Sequence, residues 1–126
     1  MSIQVPLSDL AAAVDHFGGH GYLLTVTPES TVRAAGVQVV VADGLVRVGA
    51  GRSSTANVAI NPTVTLLCAP VEEKGHTLLI DGTAALDEDG TTIVITPDSA
   101  VLHRPPFHAD GPPAPALAAG WKPGGC

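Results

Sequence analysis

Between Leu45 and Pro62 the chain changes from strand to turn to helix without leaving room for anything else. Leu45, Val46 and Val48 favour an extended strand, and Gly49 and Gly51 allow a tight turn. Ser53 or Ser54 can then cap a short helix that Asn57 to Ile60 continue and Pro62 stops. A helix N-terminus beside glycines and an arginine is a ready anion site. Its unpaired N–H groups, the hydroxyls of Ser53, Ser54 and Thr55, and the Arg52 guanidinium can converge on a phosphate. The same residues also fit an ordinary capped helix with a solvated arginine. A dinucleotide fingerprint is excluded, because a serine stands where the third glycine belongs and no βαβ unit surrounds the turn.

The flanking chain is mostly short apolar runs divided by turn residues. Leu10, Ala13, Val14 and Phe17 follow helical spacing after Ser8 or Asp9, either of which can cap, and Gly18-Gly19 ends that helix. Strands follow over 22–27, 32–42 and 45–50. Asp43-Gly44 marks a hairpin between the last two, and Gly36 suggests a bulge or bend. Beyond the 53–60 helix, strands are expected over 64–69, 76–86 and 91–96. Asp81-Gly82 suggests a bulge, and 99–103 extends the last strand past a kink at Pro97. Six strands joined by short reversals, with two small helices, suit a closed antiparallel barrel, since closure removes exposed edges.

The chain divides into a domain over 1–104 and a Pro/Gly-rich C-terminal arm over 105–126. In that arm Phe107, Leu117 and Trp121 are apolar anchors able to dock on the body or on a second subunit. A chain of 126 residues buries roughly two-thirds of its extended surface on folding. With 45% hydrophobic but only 3% aromatic residues, the core must be aliphatic. The net charge of −6 and the scarcity of aromatics argue against nucleic acid as a partner. No basic leader or long apolar run is present, so a soluble, cytoplasmic protein with no membrane contact is expected.

Other chemistry finds little support. Cys68 lies in an apolar run and Cys126 ends the chain, which does not make a disulfide framework. His103 and His108 are separated by two prolines and lack a third ligand, so no metal site is expected. His20 reads as a loop residue at a strand start, and His76 as a half-exposed one. Asp87-Glu88-Asp89 lacks the alternating donors of a calcium loop and reads as a solvated turn. No Gly-x-Ser-x-Gly elbow surrounds Ser53 or Ser54.

From about Phe17 to Arg104 the order of elements resembles the split β-barrel flavoproteins related to pyridoxamine 5′-phosphate oxidase, including flavin- and F420-binding members. The resemblance rests on the strand pair at Asp43-Gly44, on the block Val48 to Leu67, and on Leu79 to Leu86. It implies a homodimer with FMN or the deazaflavin F420 between subunits, acting as an oxidoreductase on a small-molecule substrate. In that frame Arg52 meets the phosphate or acidic tail, and Ser53, Ser54 and Thr55 donate to its oxygens, with Asn57 in the same stretch. Val48, Gly49, Ala50 and Gly51 line the cofactor with backbone. Catalytic side chains are not assigned, since the cofactor carries such chemistry. Relatives that hold a cofactor often place Lys near Ser54 and a second basic residue near Ala56, and both are absent here. The alternative is a cofactor- or small-molecule-binding split barrel, for a flavin, a haem or an apolar metabolite, that has lost turnover.

Overall fold

The computed structural model describes residues 2–105; the anchors Phe107, Leu117 and Trp121, together with His108 and Cys126, lie outside the described residues. The elements run β1 (Ser2–Gln4), a single turn of 3-10 helix, α1 (Leu10–His16), β2 (His20–Val26), β3 (Val32–Ala42) and β4 (Leu45–Gly49). Then come α2 (Arg52–Ile60), β5 (Thr63–Cys68), β6 (Thr77–Leu86) and β7 (Thr92–His103). All pairings are antiparallel, in the order β1-β7-β4-β3-β2-β5-β6, and β6 pairs back onto β7. Six strands thus close a barrel, and β1 lies outside it.

Alternation sends one face of each strand inward. Leu23, Val46, Leu66, Leu78, Ile80, Ile93 and Ile95 are fully buried, so the interior is aliphatic as the composition requires. Fully burying each such side chain contributes roughly 1.5–3 kcal/mol. Leu10, Val14 and Phe17 bring α1 onto the same core. Cys68 is buried there too, and burial pushes its thiol pKa up.

The β3–β4 hairpin is the two-residue turn expected. Asp43 and Gly44 both take positive φ, 55° and 77°, as a type I′ turn demands, between paired Ala42 and Leu45. Gly36 makes no bulge: β3 pairs with β2 in unbroken register, Gly36 facing Tyr22. A Cβ added at Gly36 would make an ordinary contact of 3.9 Å with the Tyr22 ring, so neither a bulge nor a lack of space requires glycine there.

The irregularity at Asp81-Gly82 is real, but the extra residue sits on the partner strand. Asp81 pairs with Ser99 and Gly82 with Pro97, leaving Asp98 unpaired. β7 therefore continues through Pro97 as one strand, and its inward side switches from Ile93 and Ile95 to Ala100. The strand β1 was not expected from sequence. It uses the edge of β7 beyond the switch, Ser2 to Gln4 facing His103 to Val101, while β4 takes the same edge before it.

Helix starts also differ from expectation. Gly51 occupies the cap position of α2 without a side-chain bond, and Asp9 does the same for α1, so none of Ser8, Asp9, Ser53 and Ser54 caps through its side chain. The acidic turn is tied to β4 by the Arg47–Asp87 ion pair at 3.0 Å and is otherwise bonded within itself. Asp89 accepts from the Thr91 and Thr92 N–H groups and the Thr92 hydroxyl, which lowers its pKa to about 2.

Gly82 is the tightest point of the barrel, since an added Cβ would meet the Thr96 carbonyl oxygen at 2.5 Å and Ile95 Cγ2 at 2.7 Å. Gly82→Ala is expected to lower unfolding free energy by about 1–3 kcal/mol in urea titration. Gly49→Ala, where nothing lies within 4 Å, is expected to change it little.

Candidate functional site

α2 packs against β2 and β6 at the end of the barrel where β3 begins. On β3 the inward-facing series Val39, Val37, Ala35, Arg33 runs from buried through half-buried to exposed, so the barrel opens there. A groove of about 520 Å³ lies between that opening, the β2–β3 turn and the first turns of α2. Its walls include Arg33, Ala35, Ser53, Ser54 and Asn57, with Glu29 at the turn.

Ser54 is only 5% exposed, lines this groove, and its hydroxyl has no hydrogen-bond partner among the described residues. Asn57, 8% exposed, donates from Nδ2 to Thr25 Oγ1 at 3.1 Å, and its Oδ1 has no partner among the described residues. The first helical bond runs from Thr55 N to Gly51 O, and no side chain caps the helix. The N–H groups of Arg52, Ser53 and Ser54 therefore stay free of intrahelical partners and carry the positive end of the helix dipole. Because Gly51 takes the cap position, both serines fall inside the first turn, where their hydroxyls are not consumed by capping. This is a donor-rich pocket wall suited to an anion's oxygens.

The other residues expected at the site are placed as follows. Arg52 opens α2, is exposed, and makes no ion pair among the described residues. The Thr55 hydroxyl donates to the Arg52 carbonyl at 2.9 Å, which turns it back onto its own helix. Val48 is buried with its side chain in the core, so only its backbone is available. Gly49 and Gly51 are exposed, and Ala50 donates its N–H to the Thr91 carbonyl at 3.0 Å. Val48 to Gly51 thus form the approach to the helix rather than a groove wall. Sequence reasoning missed Arg33 and Glu29, whose only signal was a charged residue at each side of a strand's start.

No histidine lines this groove. His20 begins β2 and is exposed, and His76 is half-exposed just before β6. Among the described residues no group of three or more His, Cys, Asp or Glu gathers to hold a metal, and no helix is long and apolar enough to cross a membrane.

No family model and no curated protein matches the sequence. Solved structures match by shape. A candidate pyridoxamine 5′-phosphate oxidase from Listeria innocua superposes with a TM-score of 0.62 at 20% identity, covering 77% of this chain and 98% of that one. A Clostridium acetobutylicum protein of the pyridoxinephosphate oxidase family, related to general stress protein 26, gives 0.62 at 11% identity over 79% and 91%. The fold is the pyridoxamine 5′-phosphate oxidase-like split barrel. A third split barrel, an FAD binding protein from Mycobacterium smegmatis, gives 0.58 at 16% identity over 82% of this chain and all 100% of its own. At these identities the likeness establishes fold, and the site must be argued from this chain's residues.

Asn57→Ala removes the buried bond to Thr25 and leaves that hydroxyl without its donor. A loss of about 1–3 kcal/mol in chemical denaturation is expected, whereas Asn57→Asp keeps an acceptor but no donor and should also destabilise.

Proposed function

We propose that this split barrel binds an isoalloxazine-type cofactor, FMN or F420, and works as an oxidoreductase on a small molecule. The observation that carries this reading is the groove at the start of α2, which Ser53, Ser54 and Asn57 line, where the Ser54 hydroxyl has no hydrogen-bond partner among the described residues and the first-turn N–H groups have no side-chain cap. Its volume falls within the range of roughly 300–1,000 Å³ typical of small-molecule sites. The split-barrel neighbours support the choice of ligand, one of them being an FAD binding protein.

The residues fit an anionic tail at one end. Ser53 and Ser54 would donate to it with the first-turn N–H groups, and Arg52 would add charge from the helix start. Asn57, held by Thr25, fixes the groove wall below Ser54. When bound, such a cofactor supplies hydride transfer. The chain's own residues bind and orient it.

The exposed side of the sheet supports a second copy as partner. Tyr22, Val32 and Val40 are 52%, 62% and 60% exposed, and all three sit on the outward face with Leu24, Val26 and Leu67. Val26 and Val32 pair in register, as do Tyr22 and Leu67, with Val40 beyond the polar pair His20 and Gln38, and an exposed apolar face of this kind marks an interaction surface. Because Arg33 and Ala35 lie on the same strand as Val32 and Ala34, a copy seated here would border the groove. Sedimentation velocity should give a dimer, and Val32→Glu together with Val40→Glu should give a monomer; a wild-type monomer at high concentration would remove this reading.

A non-catalytic cofactor carrier is the second reading. It is favoured by the groove's lining, in which Glu29 is the one carboxylate and no histidine or cysteine takes part. The decisive test is parallel equilibrium titration with FMN, F420 and haem. Saturable binding of FMN or F420 is expected, and binding of neither overturns the proposal. Arg52→Ala should weaken binding of the phosphate-bearing cofactor by about 1.5–3 kcal/mol. If the reduced complex is reoxidised by no acceptor faster than by buffer, the carrier reading replaces the enzyme.

A further inference from the structure

We infer that residues 106–126 fold back over the end of the barrel opposite α2 and seat Trp121 in a hollow walled by Phe17, Val71 and Leu102. The inference is independent of the groove at α2 and of any cofactor.

The hollow has two adjoining lobes of about 230 and 360 Å³, which share His16, Phe17 and Val71. β2 begins here at His20 and ends at Val26, next to Thr27 of the α2 groove, while β5 begins at Thr63 and ends here at Cys68. The two sites therefore lie at opposite ends of the barrel. The Phe17 and His16 rings meet edge to face with centroids 5.4 Å apart, and Val71 stands 60% exposed on the opposite wall. At the rim, the Glu72 carboxylate forms no ion pair among the described residues. The Gly75 N–H bonds to the Glu72 carbonyl at 2.9 Å and holds that backbone in a tight turn. Such a hollow fits a large apolar ring followed by a cation.

The arm supplies that pair. Trp121 is the one tryptophan of the sequence, and Lys122 beside it is the one Lys or Arg beyond Arg104. The chain also leaves from the right place. Leu102 lines the hollow, and the described residues stop three positions later at Pro105. Phe107 follows within about 7 Å of extended chain. The sixteen residues from Pro105 to Trp121 are long enough to cross the hollow and return. Tethering keeps the arm at an effective concentration near the millimolar range, so weak contacts suffice to seat it. Pro105, Pro106, Pro112, Pro113, Pro115 and Pro123 have no N–H, so the arm covers an apolar surface while leaving few backbone donors unpaired. Proline-rich segments dock on aromatic-lined grooves for the same reason.

The test uses the full chain. Cys68 is fully buried, so a thiol-reactive nitroxide attaches to the other cysteine, Cys126, five residues past Trp121. In isotope-enriched protein the amide signals of Val71, Glu72, Gly75 and Leu102 should then lose most of their intensity, and those of Ser54, Ala56 and Asn57 should keep theirs. Unchanged intensity around the hollow overturns the inference, as does a loss at α2 instead. Nitroxide-bearing chains without enrichment, mixed in urea with enriched nitroxide-free chains and refolded together, distinguish one copy from two. No loss is expected in that mixture; a loss means that the arm seats on a second copy and overturns the assignment. Val71→Ser together with Glu72→Lys alters two exposed side chains, and unchanged Ile93 and Ile95 amides serve as the folding control. In that variant the losses should vanish and Trp121 emission should shift to that of the urea-unfolded chain. Retained losses, or wild-type emission already at the unfolded position, overturn the inference.

Discussion

The closing of β6 onto β7 is the interaction on which the rest of this molecule depends. Without it the sheet would present two long edges and an aliphatic face to water; with it, the interior of Leu23, Leu66, Ile80 and Ile95 is sealed. The crossing is tight enough that Gly82 has no space for a methyl group, and it is eased by one unpaired residue, Asp98. Closure also fixes where the barrel stays open. Because β3 begins well before its first buried position, Val37, the mouth is left for α2 to cover, and the groove is the gap that remains.

Much of this was legible in the chain. Asp43-Gly44 specified its hairpin because few dipeptides accept two positive φ angles in succession. The strand-turn-helix passage from Leu45 to Pro62 was legible because its signals are local. Asp81-Gly82 marked the right place for an irregularity but not the strand that carries it, since a bulge is a property of a pair and the sequence presents one strand at a time. The strand β1 was illegible for the same reason. Ser2-Ile3-Gln4 has no pattern of its own and becomes a strand only because β7 offers it an edge.

The candidate site divides along the same line. Ser53, Ser54 and Asn57 could be named from the helix start, and the structure brings them into one groove wall. Their freedom from capping could not be read, because it depends on Gly51, two residues before Ser53 and three before Ser54, taking the cap position. Arg33 was invisible as a site residue. A lone arginine after a valine at a strand start looks like solvated surface, and only the fold places it opposite α2. Arg33 lines the same groove as Ser54 and Ala56 though distant from them along the chain.

The switch in β7 has a further consequence. Before Asp98 the odd-numbered residues of the strand face inward, and beyond it the even-numbered ones do, as Ile93 and Ile95 on one side and Ala100 on the other record. One strand thereby serves two neighbours, β4 and β1, with opposite parity. What position 98 guards is therefore a count rather than a chemical type. Almost any polar residue meets its needs, but shortening the chain there by one would turn every later side chain of β7 inside out.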